Sequence, residues 1–331
     1  MTLWLHSLGH FHPENEITNR FLEELDIGTD DAWILERVGI RSRRTALDLG
    51  YIRETRNCDV RAATEASSIS LAEQGAQAAR MALDRAGLSA TDIGMAIFGS
   101  SAPDWVSPAE ACNVASALDV DVPSFDVNSA CTSFLAQLHL LSLMDPAKLP
   151  QFVLLVGADS LTKTVDYNDR TAAVLWGDGA AAAIVSTREP GRACVLGSDL
   201  ESRPTAGDKV VVSRTGFFAQ EGRTVQSFAI RKTRDGFERL RCELAQEDRP
   251  LHFVGHQANL RMLETVCRYC DIPPERHHAN VEWYGNTGAA SSATVISQRW
   301  GKWEPHDDIG VVGVGAGLTW AGYLLRFGGP A

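Results

Sequence analysis

The sequence predicts an α/β fold built in layers. Two observations carry this. Short apolar runs of strand length recur at residues 94–98, 152–156, 181–185 and 309–312. Between them lie stretches with apolar residues at helical spacing. The clearest covers residues 67–86, where Leu71, Ala78, Ala79, Met81, Ala82 and Leu83 share one side. Strands alternating with helices form sheets covered by helices.

The chain has 331 residues, enough for two domains of ~150 residues each. It is 44% hydrophobic and 22% charged, an ordinary globular balance. No run of 18 uninterrupted apolar residues exists, so no membrane span is expected. Residues 1–7 lack a basic segment and a sustained apolar core, so they do not read as a signal peptide. Seven cysteines without paired spacing fit a reducing, cytoplasmic setting. The net charge of −11 argues against a nucleic-acid partner. Against that background Arg231, Lys232, Arg234, Arg239 and Arg241 form a local basic group on an expected helix, with Arg261 and Arg268 on another. Cys267 and Cys270 form a CxxC, but they fall inside a helical pattern and lack a second ligand pair, so they read as packing residues and no metal is expected.

Three residues ahead of helix-like stretches carry chemistry, two of them at strand-to-helix junctions. The run 122–127 reads as a strand, and Phe134, Leu135, Leu138, Leu141 and Met144 follow at helical spacing. Cys131 lies between them, where a helix N-terminus favours the thiolate. His256 follows a strand-like run and precedes a helix-like one over 260–267. Asn286 precedes a run of small residues and a helix-like stretch reaching Trp300. Singly, these read as a buried cysteine, a core histidine and a helix cap. Together, Cys, His and Asn form a recurring acyl-transfer set.

At these residues the chain resembles the β-ketoacyl-acyl-carrier-protein synthase III family. Ala130-Cys131-x-x-Phe134, His256-Gln257-Ala258-Asn259-Leu260-Arg261 and Gly285-Asn286-Thr287 with Ala289-Ala290-Ser291 are similar to its three active-site motifs. Trp33-Ile34 with Arg37-Val38-Gly39-Ile40, Trp176-Gly177-Asp178-Gly179-Ala180 and the Gly-rich run 313–320 resemble three further motifs, in order. The resemblance implies the thiolase fold: a duplicated half giving five layers, α-β-α-β-α, in an obligate homodimer. It implies a first half at 1–188 carrying the cysteine and a second at 189–331 carrying the histidine and asparagine.

The resemblance also implies a reaction. Cys131 takes an acyl group from acyl-CoA or an acyl carrier protein, with the backbone N–H groups of Cys131 and Ala316 as oxyanion donors. Malonyl-carrier protein then loses carbon dioxide, with His256 and Asn286 stabilising the enolate, and the carbanion attacks the acyl-enzyme to give a β-ketoacyl thioester. A transferase of the same fold that skips the decarboxylation is the alternative, and a non-catalytic subunit is a third. No cofactor is implied beyond coenzyme A and phosphopantetheine thioesters as substrates. Thr29, Trp33, Arg37, Arg170 and Asn259 match coenzyme A and pantetheine contacts, with Trp33 and Arg170 flanking the adenine. Arg261, Arg231 and Lys232 match docking positions for the carrier protein.

Four departures from the family pattern stand out. Residues 45–67 are longer than the corresponding stretch and are expected near the coenzyme A entrance. Ser107, with Trp105 nearby, stands where an aromatic often closes the acyl pocket across the dimer. Ser133 replaces a glycine, and Gly255 replaces a proline. Together they point to a specialised substrate, in natural-product or cofactor biosynthesis.

Overall fold

A computed structural model describes residues 2–329. Nine strands form one hydrogen-bonded sheet: β1 Leu3–Phe11, β2 Ile93–Gly99, β3 Ser124–Asp126, β4 Phe152–Ser160, β5 Asp178–Ser186, β6 Ala193–Ser202, β7 Leu251–Gly255, β8 Asp308–Gly315 and β9 Thr319–Phe327. Six helices cover it: α1 Leu71–Ala86, α2 Glu110–Ala117, α3 Ser133–Leu143, α4 Gly222–Leu244, α5 Leu260–Tyr269 and α6 Ser291–Gln298.

The strand order is β7-β8-β9-β6-β1-β5-β4-β2-β3. It contains a repeat that no visible similarity in the sequence announces. In the first half β3 and β4 flank β2 in parallel, β5 runs antiparallel to β4, and β1 runs antiparallel to β5. In the second half β7 and β8 are parallel, β9 runs antiparallel to β8, and β6 runs antiparallel to β9. The counterpart of β3 survives as a parallel bridge between Phe253 and His277. Helices follow the same order: α1, α2 and α3 in the first half, α4, α5 and α6 in the second. The halves meet where Leu3, Trp4 and Leu5 pair with Val195, Cys194 and Ala193.

The layers follow from where each helix packs. Helix α1 lies against β1, β5 and β4, and α4 lies against β8 and β9. Helix α3 touches strands of both halves, as does α6, so these two form the middle layer. Burial explains their composition. Phe134, Leu135, Ala136, Leu138 and Leu141 of α3 are all buried, as are Ala293, Val295 and Ile296 of α6. Helix α1 faces the sheet with Ala76, Ala78, Ala79 and Ala82, which lets it approach closely. Gly9 of β1 completes this contact: a Cβ there would sit 1.9 Å from the Ala78 carbonyl oxygen. Helix α1 opens on Ser70, whose side chain accepts the Glu73 N–H, and closes on left-handed Gly87. These caps fix its start at residue 71, four residues after the expected 67.

The long segment 45–67 folds as two short helices, Leu49–Thr55 and Ala62–Glu65. Fully buried Asn57 ties it down by donating to the carbonyls of Lys163 and Val165 at 2.9 and 2.8 Å.

Candidate active site

Cys131 sits in a 3-10 turn, Ala130–Thr132, between β3 and α3. Ala130 has φ +49°, a left-handed value that costs a non-glycine residue. Neighbouring hydroxyls hold the turn. Ser133 Oγ accepts the Ser129 N–H at 2.9 Å and donates to the Ala130 carbonyl at 2.7 Å. The serine that replaces glycine here is therefore a brace. From the second half, Thr319 Oγ1 lies 2.8 Å from Thr132 Oγ1. Gly315 at the end of β8 lies against the turn, and a Cβ there would sit 3.2 Å from both the Cys131 and Thr132 nitrogens.

His256 follows β7, and its N–H donates to the Val312 carbonyl at 2.9 Å, extending the ladder to β8. Its Nδ1 lies 2.7 Å from Ser291 Oγ at the start of α6. Gly255 before it is crowded: a Cβ would lie 2.5 Å from Leu263 Cδ2 and 2.8 Å from the Phe253 ring. That packing explains why no larger residue stands there. Asn286 is held at three atoms. Its N–H donates to Leu175, its carbonyl accepts Gly177 N–H, and its Oδ1 accepts Gly288 N–H at 3.0 Å. With Oδ1 occupied, Nδ2 remains as its donor.

Cys131, His256 and Asn286 line one cavity of about 370 Å³. Trp33, Arg37 and Asn259 line it too, as do Gly315 and Ala316. Trp33 belongs to a helix, Asp31–Arg37, capped by Asp30, whose side chain accepts the Trp33 N–H at 2.7 Å. Arg261 of α5 donates to Leu35 O of that helix at 2.7 Å, so the helices bearing Trp33 and following His256 are joined. Arg170 stacks on the Trp33 ring at 4.8 Å, and Arg37 lies 5.7 Å from it. Arg170 and Thr29 do not line the cavity, and Arg170 covers one face of the Trp33 ring. The Asp169 carboxylate is engaged by Thr171 instead of Arg170.

Burial decides the electrostatics. It pushes the Cys131 thiol up to about 12, and the Asp159 carboxylate adds to the rise. The rise runs against the lowering expected from the helix N-terminus, with desolvation as its largest cause. Burial holds His256 down to about 4, so its imidazole is neutral at pH 7.

Asp159 at the end of β4 is the residue that sequence reading missed. It is fully buried, with no cation paired to it among the described residues. Its Oδ1 accepts Ser100 Oγ–H and Ser101 N–H at 2.7 Å, and its Oδ2 accepts Ser101 Oγ–H at 3.0 Å and Ala289 N–H at 2.7 Å. Ser101 Oγ in turn lies 4.0 Å from Cys131 Sγ.

Other expected site residues are placed differently. Trp105 and Ser107 are exposed and do not line the cavity of Cys131, but Trp105 lines the neighbouring cavity that Ser101 also lines. The segment 45–67 does not reach that cavity. It walls a second one. Arg234, Arg239 and Arg241 are spent in ion pairs with Asp235, Asp199 and Glu238. Arg261 pairs with Glu264 at 2.9 Å. Lys232 stands 3.8 Å over the Trp320 ring, and Arg231 5.9 Å from the Phe228 ring, without ion pairs among the described residues. Cys270 is buried in the core beside Val266.

Comparison with known proteins agrees with this architecture. The sequence model of 3-oxoacyl-[acyl-carrier-protein (ACP)] synthase III matches residues 125–204, and that of its C-terminal part matches residues 245–327. A beta-ketoacyl-[acyl-carrier-protein] synthase III of Geobacillus kaustophilus is 31% identical, covering 97% of each chain. The crystal structure of 3-oxoacyl-[acyl-carrier-protein] synthase III from Aquifex aeolicus superposes with a TM-score of 0.86 at 28% identity, covering 98% of this chain and 100% of that one. The priming beta-ketosynthase of the R1128 polyketide biosynthetic pathway gives a TM-score of 0.81 at 25% identity, covering 98% and 96%.

Proposed function

Because the chain belongs to the 3-oxoacyl-[acyl-carrier-protein] synthase III family of condensing enzymes, we propose that it loads an acyl group on Cys131 and extends it with malonyl-carrier protein by decarboxylative condensation. The observation that carries this reading is the single cavity lined by Cys131, His256, Asn286 and the main chain at 315–316.

The chemistry follows from the protonation states. The Cys131 thiol is protonated at neutral pH, so its attack on a thioester must release a proton. His256 Nε2 makes no hydrogen bond among the described residues, and the imidazole is neutral, so its lone pair can take that proton and return it to the departing thiol. Ser291 Oγ can donate to Nδ1 or accept from it, which permits either tautomer. In the second stage the Nε2–H tautomer and Asn286 Nδ2–H are the donors for the enolate oxygen left when carbon dioxide departs. Each donor of this kind contributes about 3 kcal/mol. The N–H groups of Cys131 and Ala316 serve the tetrahedral intermediate. Trp33 and Arg37 at the mouth receive the coenzyme A nucleotide once Arg170 swings from the ring.

Carrier-protein docking rests on Arg231 and Lys232, which together with Arg223 are the α4 cations without ion pairs among the described residues. Arg261 contributes from the helix after His256. A homodimer is supported by an unpaired edge. Strand β3 ends the sheet, Phe125 on it is 37% exposed, and nearby Trp105 and Val106 are 59% and 70% exposed. Seven unpaired thiols accord with a cytoplasmic setting.

Mass spectrometry of the intact protein with acyl-CoAs, followed by malonyl-carrier protein, tests the reading. The expected result is an adduct on Cys131, then a carrier-bound product lighter than the sum of malonyl and acyl by one carbon dioxide. An adduct that survives malonyl-carrier protein would transfer the assignment to a non-decarboxylating acyltransferase.

A further inference from the structure

A second cavity, of about 560 Å³, lies on the other side of Ser101 from the site just described. Ser101 brings the second cavity within one side chain of the nucleophile: it lines that cavity, and its Oγ is 4.0 Å from Cys131 Sγ. Asn128, three residues before the nucleophile, also lines it. The remaining wall comes from residues 103–106, the 160–164 segment, the 212–214 turn and the long segment 45–67, through Val60, Arg61 and Thr64.

The charges of this cavity are unbalanced once partners are assigned. Lys163 and Asp104 neutralise each other at 2.7 Å, both nearly buried. Asp104 also accepts the Leu71 N–H at 2.8 Å, at the start of α1. Asp126 accepts the Glu110 and Ala111 N–H groups at 2.9 Å each and keeps its negative charge, so the lining carries one positive charge in excess when Arg61 and Arg214 are counted. Arg61 and Arg214 remain. Both are exposed, both line the cavity, and neither guanidinium has an ion-pair or hydrogen-bond partner among the described residues. Two unpaired guanidiniums in the wall of a cavity beside an acyl-accepting thiol suit an anionic group. They fit an acyl group whose far end is a carboxylate, since a guanidinium binds a carboxylate through two parallel hydrogen bonds.

Resting on the assignment of Cys131 as the acyl acceptor, we propose that the starter is an ω-carboxyacyl thioester, the monothioester of a dicarboxylic acid. Its chain passes Ser101, and its carboxylate is held by Arg61 and Arg214. The step balances as ordinary thioester exchange. The Cys131 sulfur–acyl bond forms, the acyl–coenzyme A sulfur bond breaks, and the Cys131 proton ends on the released coenzyme A thiol. The terminal carboxylate is unchanged.

The test measures the initial rate of Cys131 acylation, by mass spectrometry, with succinyl-, glutaryl- and adipyl-CoA against uncharged acyl-CoAs of matched length. At least one ω-carboxyacyl-CoA is expected to load about tenfold faster than its uncharged match, the scale of one hydrogen bond to a charged group. Replacing both arginines, R61A with R214A, is expected to erase that ratio. Faster loading of the uncharged acyl groups by the native protein, or a ratio unchanged in the double variant, overturns the proposal while leaving Cys131 as acyl acceptor. Failure of every acyl-CoA to load removes the underlying assignment instead.

Discussion

Asp159 accepts the backbone N–H of Ala289 at 2.7 Å, so a carboxylate of the first half anchors the loop of the second half that carries Asn286. The same carboxylate anchors Ser101 beside Cys131. One buried group thus sets the spacing between the nucleophile and its partners, and its negative charge also opposes the thiolate.

Asp159→Asn separates these two effects. The amide keeps the shape but sets an NH₂ against a donor, which is expected to cost about 1–3 kcal/mol of stability. Losing the charge lowers the Cys131 pKa, so alkylation by iodoacetamide becomes faster at a given pH. The rate measured from pH 7 to 10 checks this, and a profile matching that of the native protein would refute the electrostatic coupling.

His256 is held down to about 4 by burial. Decarboxylation of malonyl-carrier protein is therefore expected to show no loss through pH 6.5, where an ordinary imidazole titrates. Stability has its own pH dependence. His10, His12, His256 and His278 are all depressed by burial, so the stability they confer is complete above about 6.5 and lost as pH falls towards 4. Asp178, raised by burial to about 6, acts in the opposite sense over pH 4–6. Burial raises Glu110, Asp159 and Asp199 as well, and depresses His6, His252 and His277; with seven histidines against four carboxylates, the thermal midpoint is expected to be lower at pH 5 than at pH 7.

Asn286→Ala removes a donor to the enolate and leaves the thiol in place. Acylation of Cys131 should persist, while condensation falls by a factor of about 10²–10³. Single-turnover loading and product formation, measured on the same sample, report the two steps separately. Equal losses in both would mean that the loop had shifted.

Charging the exposed pair, W105D with V106D, is expected to convert a dimer to monomer, read as molar mass by analytical ultracentrifugation. A native protein already monomeric at micromolar concentration would dismiss the β3 edge as an interface.

Gly9→Ala pushes a methyl into the Ala78 carbonyl of α1. Overpacking of this kind costs about 1–3 kcal/mol and occasionally more, and the closeness of this contact puts the variant at the upper end. Chemical denaturation of the variant beside the native protein measures it.

Cys131 and His256 were legible because each stands where a strand pattern gives way to a helical one, and Asn286 because it precedes a run of small residues that opens a helix. Asp159 was not, because it closes the apolar run of β4 and nothing in the one-dimensional pattern marks the five donors that fold around it. The pKa of the cysteine was misread for a related reason: sequence spacing reveals the helix but not the desolvation. The strands at 94–98, 152–156, 181–185 and 309–312 were found within larger ones, since burial on both faces leaves them apolar throughout. The repeat stayed hidden because strand order, and not residue identity, expresses it. The fold of segment 45–67 was not legible because its anchor, Asn57 on the 163–165 carbonyls, is a long-range contact.

Strand β1 occupies the centre of the sheet, between β5 and β6. It is the first strand of the described chain, and both neighbours lie more than half the chain further on. During synthesis it must therefore wait, unpaired and apolar, while the polypeptide that will enclose it is still being made. Pairing at such sequence separation is slow, so the seam that lets two halves share one active site also gives the nascent chain a long period in which chaperones or aggregation compete for its earliest strand.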